Sequence, residues 1–391
     1  MKKIRLVVLV ISVCLLFLIL SGFASAETEL PSKPDLFSIA GYGVEGGSYV
    51  QYAAVGEAMY KKFGIKVRQI PCGTDISRLS MMNAGRVDFS AIGSGAFFAT
   101  EGLEEFSEID WGPQSLSLVY ECQNSYAACM AVRGDSGIKT FADLKGKRVG
   151  YLLGNPGLTS FVTGCLAWAG FTWDDVERID YNSTTAAYAG VLEGTCDATI
   201  QTSVAPTAYQ LEASPHGIYW MPMPPEDKEG WERFNKVCPF FGSALISIGA
   251  GLSEENPVWL ASYSFPTLFV NPDYDKDKAY WLTKAAWESY DLYKDAFPNM
   301  IAWNLPKSGL KTRRLYPWHE GSIKYLQEVG LWTEKLQRNQ EALVERQEAL
   351  GKLWDDAVEE ATEKKMSNVE FVKFWLEKRE EKFPNWYEPV E

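Results

Sequence analysis

The sequence predicts an α/β protein with two lobes of similar plan, followed by a C-terminal helical extension. Three observations lead to this prediction: a strand–helix–strand unit that occurs twice, several helices that begin at Gly- or Ser/Thr-rich turns, and a long charged amphipathic segment near the C-terminus. The length of 391 residues agrees with it, because a single core rarely grows beyond about 250–300 residues.

The repeated unit is the strongest indication of two lobes. Its first copy has an alternating strand over 66–70, a helix up to Ala84 and a second strand over 87–92. The corresponding elements of the second copy are a strand over 176–180, a helix up to Glu193 and a strand over 196–200. The distance from the capping residue to the glycine stop is the same from Thr74 to Gly85 as from Ser183 to Gly194. Capped helices between strands are typical of βαβ units.

Each copy follows a further helix that opens on a small-residue turn. One such turn runs from Gly46 to Tyr49, and the other from Asn155 to Thr159. Segments near 120–133 and 238–250 flank the second copy and are candidate crossover strands. The predicted domains are residues 27–125 with 245–331 for a discontinuous first lobe, 126–244 for the second lobe, and 332–391 for the helical extension.

The C-terminal extension has the pattern of an amphipathic helix. Leu336, Leu343, Leu350 and Ala357 recur every seven residues, which places them on one face. Ser367 and Glu370 form a capping box for a second, shorter helix. The extension either packs on the body or serves as an arm for dimerisation or for contact with a membrane partner.

The N-terminus has the features of an export signal. Lys2, Lys3 and Arg5 precede an apolar stretch over 6–20, and Ala24-Ser25-Ala26 supplies the small residues that a signal peptidase accepts. We expect cleavage after Ala26 and a periplasmic location. The alternative is an uncleaved anchor, since the apolar stretch is nearly long enough to span a bilayer.

The charge balance argues against two classes of partner. The net charge of −13 falls to −16 when residues 1–26 are removed, because they carry three basic and no acidic residues. An acidic surface opposes binding to nucleic acid and to anionic lipid. A small anionic ligand stays compatible with it, because a local field can oppose the net charge.

The number and spacing of the cysteines and histidines limit which disulfides and metal sites are possible. Six cysteines lie beyond the leader: Cys72, Cys122, Cys129, Cys165, Cys196 and Cys238. An oxidising compartment permits disulfides, and six cysteines allow fifteen pairings. Cys122 with Cys129 is the first candidate, because the residues between them could turn a hairpin. No C-x-x-C spacing occurs and only two histidines are present, so neither a metal site nor a cofactor is predicted.

The candidate site lies where helix N-termini gather. Free N–H groups and the helix dipole favour anions there, and ligands bind at the carboxyl edge of α/β sheets. The candidate ligand-binding residues are Gly46, Gly47, Ser48, Tyr49, Gly73, Thr74, Arg78, Ser94, Gly157, Thr159, Ser183, Tyr188 and Gln201. Arg78 or Arg133 could hold a carboxylate, although surface pairing is the commoner role of arginine. No nucleophile elbow, phosphate loop or zinc motif occurs, so no catalytic residue is predicted.

The chain resembles the TAXI-type solute receptors of TRAP transporters, from about Phe37 to Trp332. The resemblance is carried by Gly46–Tyr49, by the block from Gly73 to Asp88, by Ser136–Val149 and by Pro317–Gly330. It implies a type II periplasmic binding protein fold whose lobes close on a small organic acid or amino-acid-like ligand and deliver it to a sodium-coupled permease. The chain departs from the family pattern at Leu158 and Gly95, two positions of the expected pocket.

Three other functions stay open at this point. The chain could be the receptor of an ABC importer, which a permease gene beside it would indicate. It could be a secreted enzyme on the same fold, which would turn over a bound acid. It could also report a ligand to a membrane kinase through its C-terminal helix.

Overall fold

Two mixed five-stranded sheets, each flanked by helices, form the frame of the molecule. The computed structural model describes residues 30–44, 47–122, 127–305 and 315–384. The predicted leader over 1–26 and Gly46 therefore lie outside the described residues. The chain divides into the units Met1–Ser32 and Lys33–Glu391, and both sheets belong to the second.

The strands are short and mostly buried. They are β1 Leu36–Gly41, β2 Lys66–Pro71, β3 Phe89–Ala91, β4 Ser117–Glu121, β5 Ala128–Arg133, β6 Arg148–Leu152, β7 Glu177–Tyr181, β8 Ala198–Thr202, β9 Ile218–Trp220, β10 Gly242–Ile246, β11 Val258–Ser262 and β12 Thr267–Val270. The first sheet has the order β2-β1-β3-β12-β4, and the second has the order β7-β6-β8-β5-β9. We call each sheet with its helices a lobe.

The helices follow the strands in chain order. They are α1 Gly47–Phe63, α2 Asp75–Asn83, α3 Gly95–Glu101, α4 Pro156–Trp168, α5 Thr184–Glu193, α6 Pro206–Ala213, α7 Lys228–Asn235, α8 Lys276–Glu288, α9 Tyr290–Tyr293, α10 Glu320–Glu328, α11 Glu334–Glu363 and α12 Asn368–Lys382. In the described part of the chain, none of the helices combines the length and the apolar character that crossing a membrane requires.

The two copies of the repeated unit are present as predicted. They are β2-α2-β3 in the first lobe and β7-α5-β8 in the second. Thr74 and Ser183 cap the two helices, and the glycines that follow adopt positive φ angles of 65° at Gly85 and 75° at Gly194. A left-handed backbone costs glycine little, which explains the matched glycine stops.

The second strand of each copy begins two residues later than the sequence predicted. In the first copy Asp88 precedes the strand, and its carboxylate accepts the N–H of Ser38 in β1 at 2.8 Å. In the second copy Asp197 accepts the N–H of Arg148 in β6 at 2.9 Å. In both copies, an aspartate carboxylate thus takes the place of one backbone acceptor in the hydrogen bonds between the strands.

The chain passes between the lobes after β4 and returns before β12. β5 enters the second sheet antiparallel to β8, and β12 enters the first sheet antiparallel to β3 and β4. Between them, β10 and β11 pair as a separate two-stranded sheet. The predicted segment 238–250 therefore forms part of this pair rather than a crossover. The domain boundaries remain a prediction, and the one at residue 244 falls inside β10.

The predicted pairing of Cys122 with Cys129 is wrong in this structure. The two cysteines stand at strands that belong to different sheets, so β4 and β5 do not pair with each other. The six cysteines of the described residues are free thiols, and five of them are buried.

The C-terminal helices pack on the first lobe. The predicted seven-residue pattern is confirmed, because Leu336, Leu343, Leu350 and Ala357 are buried in α11. The capping box of Ser367 and Glu370 opens α12 as predicted.

A buried carboxylate anchors both C-terminal helices. Glu101, at the end of α3, accepts two hydrogen bonds of 2.8 Å from Arg346 in α11 and pairs with Arg379 in α12. The indole of Trp375 donates to Gly102 O at 2.6 Å beside it.

Candidate ligand-binding site

A cavity lies between the two lobes, at the carboxyl ends of the parallel strands. It encloses about 50 Å³. The residues that line it are Tyr42, Ser48, Asp75, Gly93, Ser94, Gly95, Ala128, Leu158, Thr184, Tyr188, Ile200, Thr202, Phe241, Tyr263 and Phe265. Drug-sized ligands need cavities of about 300–1,000 Å³, so this conformation fits only a small ligand.

The local fold explains how these side chains converge. Tyr42 follows β1, Gly93 follows β3 and Thr202 ends β8, which places all three at the carboxyl edges of the sheets. Ser48 and Thr184 stand in the first turns of α1 and α5. Strand ends and helix starts therefore meet in the cleft, as open α/β sheets arrange them.

Three of the predicted site residues line the cavity: Ser48, Ser94 and Tyr188. All three are buried, with exposed fractions of 5 % or less. The structure therefore brings these three predicted residues together at the cavity. The ligand-binding role of these residues stays a prediction.

Most of the other predicted residues are used by the protein itself. Thr159 Oγ1 donates to Leu152 O at 2.7 Å, and Gln201 Nε2 donates to Tyr188 O at 2.6 Å. Thr74 Oγ1 accepts the N–H of Ser77 at 3.1 Å in the capping box of α2. These polar groups stabilise turns and helix ends and do not line the cavity.

The remaining predicted residues divide between the cleft and its margins. Gly73 and Ser183 face each other across the cleft, since a Cβ on Gly73 would lie 3.1 Å from Ser183 Cβ. Gly47 begins α1. Tyr49 is partly exposed, and its carbonyl accepts from Gln69 Nε2 at 3.2 Å.

The most heavily buried charges of the site are Asp75 and Arg78, which form an ion pair within α2. Arg78 also donates from Nη1 to Cys72 O at 3.1 Å, and its guanidinium stacks on the ring of Tyr42 at 3.8 Å. Arg78 is fully buried and does not line the cavity, whereas Asp75 does. Seen from the cavity, the guanidinium of Arg78 therefore lies behind the carboxylate of Asp75.

The ionisation of the pair follows from its burial. Burial raises the pKa of Asp75, while Arg78 and a hydrogen bond from the N–H of Gly157 oppose that rise. Burial also raises the pKa of Tyr42 and Tyr188 far above the ordinary tyrosine value. Both tyrosines are consequently neutral at physiological pH, and Asp75, which pairs with Arg78, is the one acidic side chain of the cavity lining.

Backbone and side-chain groups join the two lobes around the cavity. The N–H and the Oγ1 of Thr184 both donate to Gly73 O at 3.2 Å. The N–H of Gly157 donates to the carboxylate of Asp75. This amide was predicted to bind the carboxylate of a ligand, and in the structure it binds a carboxylate of the protein.

Glycines permit the close approach of the lobes. A Cβ on Gly157 would lie 2.2 Å from the backbone N of Gly95, and one on Gly43 would lie 2.5 Å from Thr185 Oγ1. Both distances are shorter than carbon atoms tolerate. The contact with the Gly95 backbone therefore requires glycine at position 157, whereas the Thr185 hydroxyl could rotate away from a Cβ at position 43.

Several lining residues escaped the sequence analysis as ligand candidates. Asp75 lies within the block from Gly73 to Asp88 but is not among the candidate ligand-binding residues. Phe241, Tyr263 and Phe265 come from the segment before β12, far from the repeated units in sequence. The one usable signal was the density of aromatic residues, which does not distinguish a cavity wall from a core.

The other residues considered for chemistry lie elsewhere. Arg133 donates to the carbonyls of Val191 and Leu192 at the end of α5. His319 caps α10 by accepting the N–H of Gly321 at 3.2 Å, and His216 pairs with Asp135 at 2.8 Å. The described residues contain no cluster of potential metal ligands.

Comparison with solved structures finds similar folds at low identity. A protein from Bordetella bronchiseptica is 16% identical over 76% of this chain and 98% of its own, with a TM-score of 0.47. The periplasmic aliphatic sulphonate binding protein from Escherichia coli is 17% identical over 70% and 79%, with a TM-score of 0.40. The substrate binding protein of an amino acid ABC transporter is 17% identical over 67% and 98%, with a TM-score of 0.39. Scores of this size do not indicate what this chain binds.

Sequence comparison gives a family and no individual relative. No curated protein matches the sequence. The model of the NMT1-like family matches residues 41–330, which include the second sheet, the first sheet apart from most of β1, and the whole cavity lining. The chain belongs to the NMT1-like family.

Proposed function

We propose that this protein is a solute-binding receptor that closes its two lobes on a small ligand and presents it to a membrane transporter. The observation that carries the proposal is the cavity, which both lobes line and which cross-lobe hydrogen bonds surround. A ligand that contacts both walls binds the closed arrangement better than an open one, and so shifts the population towards closure.

The cellular location, the ligand class and the type of transporter in this proposal come from the sequence. The export signal supports a periplasmic location, and the resemblance to TAXI receptors supports a small organic acid or amino-acid-like ligand and a TRAP-type permease. The first turn of α1 offers N–H groups for a ligand carboxylate beside Ser48. An ABC importer is the alternative transporter, and it would use the same cavity.

The first experiment identifies what the cavity holds. The protein is purified from the periplasm, and its native mass is compared with the mass after denaturation. We expect a small released ligand, and we expect the same compound to raise the melting temperature of ligand-stripped protein. Failure to detect any ligand, together with no thermal shift for organic acids, amino acids or sulphonates, would contradict the proposal.

A pair of variants ties the ligand to this cavity. Ala128→Leu adds bulk to the cavity wall, and we expect it to abolish co-purification of the ligand. Ala213→Leu makes the same change at an exposed position of α6 and should leave co-purification unchanged. Uptake of the ligand into vesicles that contain either a TRAP or an ABC permease then distinguishes the two transporter types.

A further inference from the structure

The cavity presents a negative wall to its ligand. Asp75 lines it and is 1 % exposed, whereas Arg78 is fully buried and lies outside the lining. The ion pair is thus an oriented dipole with its carboxylate towards the cavity and its guanidinium behind the ring of Tyr42. A group placed in the cavity meets the anion of the pair first.

The carboxylate of Asp75 also has unused acceptor capacity. An ionised carboxylate offers about four lone-pair sites. Two described donors contact it, the guanidinium of Arg78 and the N–H of Gly157. On the side of Gly95, a Cβ would lie within 3.1 Å of both carboxylate oxygens, so the glycine backbone packs directly against the carboxylate there. Asp75 also lines the cavity, and a donor on that side can reach its remaining lone pairs.

The rest of the lining is rich in aromatic side chains. Five of the fifteen lining residues are aromatic: Tyr42, Tyr188, Phe241, Tyr263 and Phe265. Aromatic faces attract organic cations, and several rings beside one carboxylate make a favourable environment for an ammonium group. Tyr42 already holds a guanidinium on one face at 3.8 Å, which shows that this ring accepts a cation.

We propose that this cavity binds an organic ammonium group, with Asp75 as its counter-ion and the aromatic side chains as its walls. The inference rests on the proposed solute-binding function and narrows the ligand class from organic acids in general to those that also carry an ammonium group. Ser48 stands at the N-terminus of α1 elsewhere in the lining, so a zwitterion would find a partner for each of its charges.

Isosteric ligand pairs test the charge requirement without changing shape. Alanine is compared with 2-methylpropanoate, and glycine betaine with 3,3-dimethylbutanoate, by calorimetric titration of ligand-stripped protein. We expect the ammonium member of at least one pair to bind about tenfold or more tightly than its carbon isostere. Tetramethylammonium, which lacks a carboxylate, distinguishes a receptor for simple cations from a receptor for zwitterions.

Two variants assign the preference to Asp75. Asp75→Asn keeps the shape and removes the anion, so the preference for the ammonium member should disappear. The double variant Asp75→Asn with Arg78→Gln leaves no unpaired buried charge and replaces the single variant if that one fails to fold. Asp197→Asn removes the anion of the Arg148 pair, which lies outside the cavity lining, and should leave the preference intact.

The outcomes separate this inference from the function on which it rests. Equal or tighter binding of the carbon isosteres overturns the inference and leaves the receptor function standing. A preference that survives in Asp75→Asn also overturns it. Binding of neither class by the wild-type protein contradicts the receptor function, and the inference falls with it.

Discussion

At Gly157, one added carbon atom is enough to prevent the close contact between the lobes. In Gly157→Ala the added methyl group would lie 2.2 Å from the backbone N of Gly95 and 2.7 Å from Ser94 Oγ. Backbone atoms cannot move aside as a flexible side chain can, so we expect the lobes to stay apart. The variant should fold normally, show a larger radius of gyration by small-angle X-ray scattering, and bind its ligand at least about tenfold more weakly.

Gly351 in α11 provides the matched control, since a Cβ there meets nothing within 4 Å. Gly351→Ala should stabilise the helix by about 0.5–1 kcal/mol and leave binding and radius unchanged. A Gly157→Ala protein with wild-type radius and affinity would show that the described contact between the lobes is not needed for function.

At the residue scale, the sequence allowed the helix starts around the cavity to be predicted, but not which charged side chain faces the cavity. The helix starts at Ser48, Thr74 and Ser183 were recognisable because capping residues have a local signature. The position of Arg78 behind Asp75 was not, because it depends on how α2 packs against Tyr42. Side-chain direction within a cleft is a tertiary property, and spacing alone does not determine it.

At the element scale, the C-terminal helices are held by one carboxylate. Glu101 is 5 % exposed and receives Arg346 and Arg379. Glu101→Gln removes the buried anion that Arg346 and Arg379 share, so we expect a loss of about 3 kcal/mol in the free energy of unfolding. Urea denaturation measures the loss, and faster proteolysis within α12 would locate it.

An exposed ion pair serves as the control for this change. Glu57 pairs with Lys61 in α1, and both side chains are more than 60 % exposed. Glu57→Gln should leave the stability almost unchanged, because exposed ion pairs contribute little to the free energy of unfolding. Similar losses in the two variants would show that Glu101 does not anchor the extension.

Elements with regular patterns were predictable, and those set by distant partners were not. The pattern of α11 is local, since Leu343 and Leu350 recur on one face of one helix. The pairing of β10 with β11 and the insertion of β12 between β3 and β4 join distant segments. The sequences of these segments favour strands, but they do not indicate which other strand each one pairs with.

For the molecule as a whole, Glu105 makes stability depend on pH. Burial raises its pKa from an ordinary 4.5 to about 7, and the carboxylates of Glu104, Asp75 and Glu108 add to the rise. The folded state therefore holds this proton more tightly than the unfolded chain. The contribution of Glu105 to stability is largest below its unfolded pKa and declines as the pH rises to about 7.

Glu105→Gln removes this titration. We expect the variant to be more stable than the wild type by about 2 kcal/mol near neutral pH and above, with the difference vanishing in mild acid. Denaturation in urea across the pH range measures this difference in stability.

Asp143 should show the opposite pH dependence of stability, because its pKa is lowered, chiefly by N–H donors from Lys139 and Thr140. Asp143→Asn should lose stability at neutral pH and recover relative to wild type in acid.

The strand order of the first sheet has a consequence for how the chain folds. β12 lies between β3 and β4, yet it follows the whole second lobe in the chain. During synthesis from the N-terminus, the second sheet has all its strands once Trp220 has emerged, while the first sheet still lacks an inner strand. Contacts between distant segments form slowly because a long loop must close first. The lobe that begins the chain is therefore the last to be completed, and until Val270 arrives β4 exposes an unpaired edge to other chains.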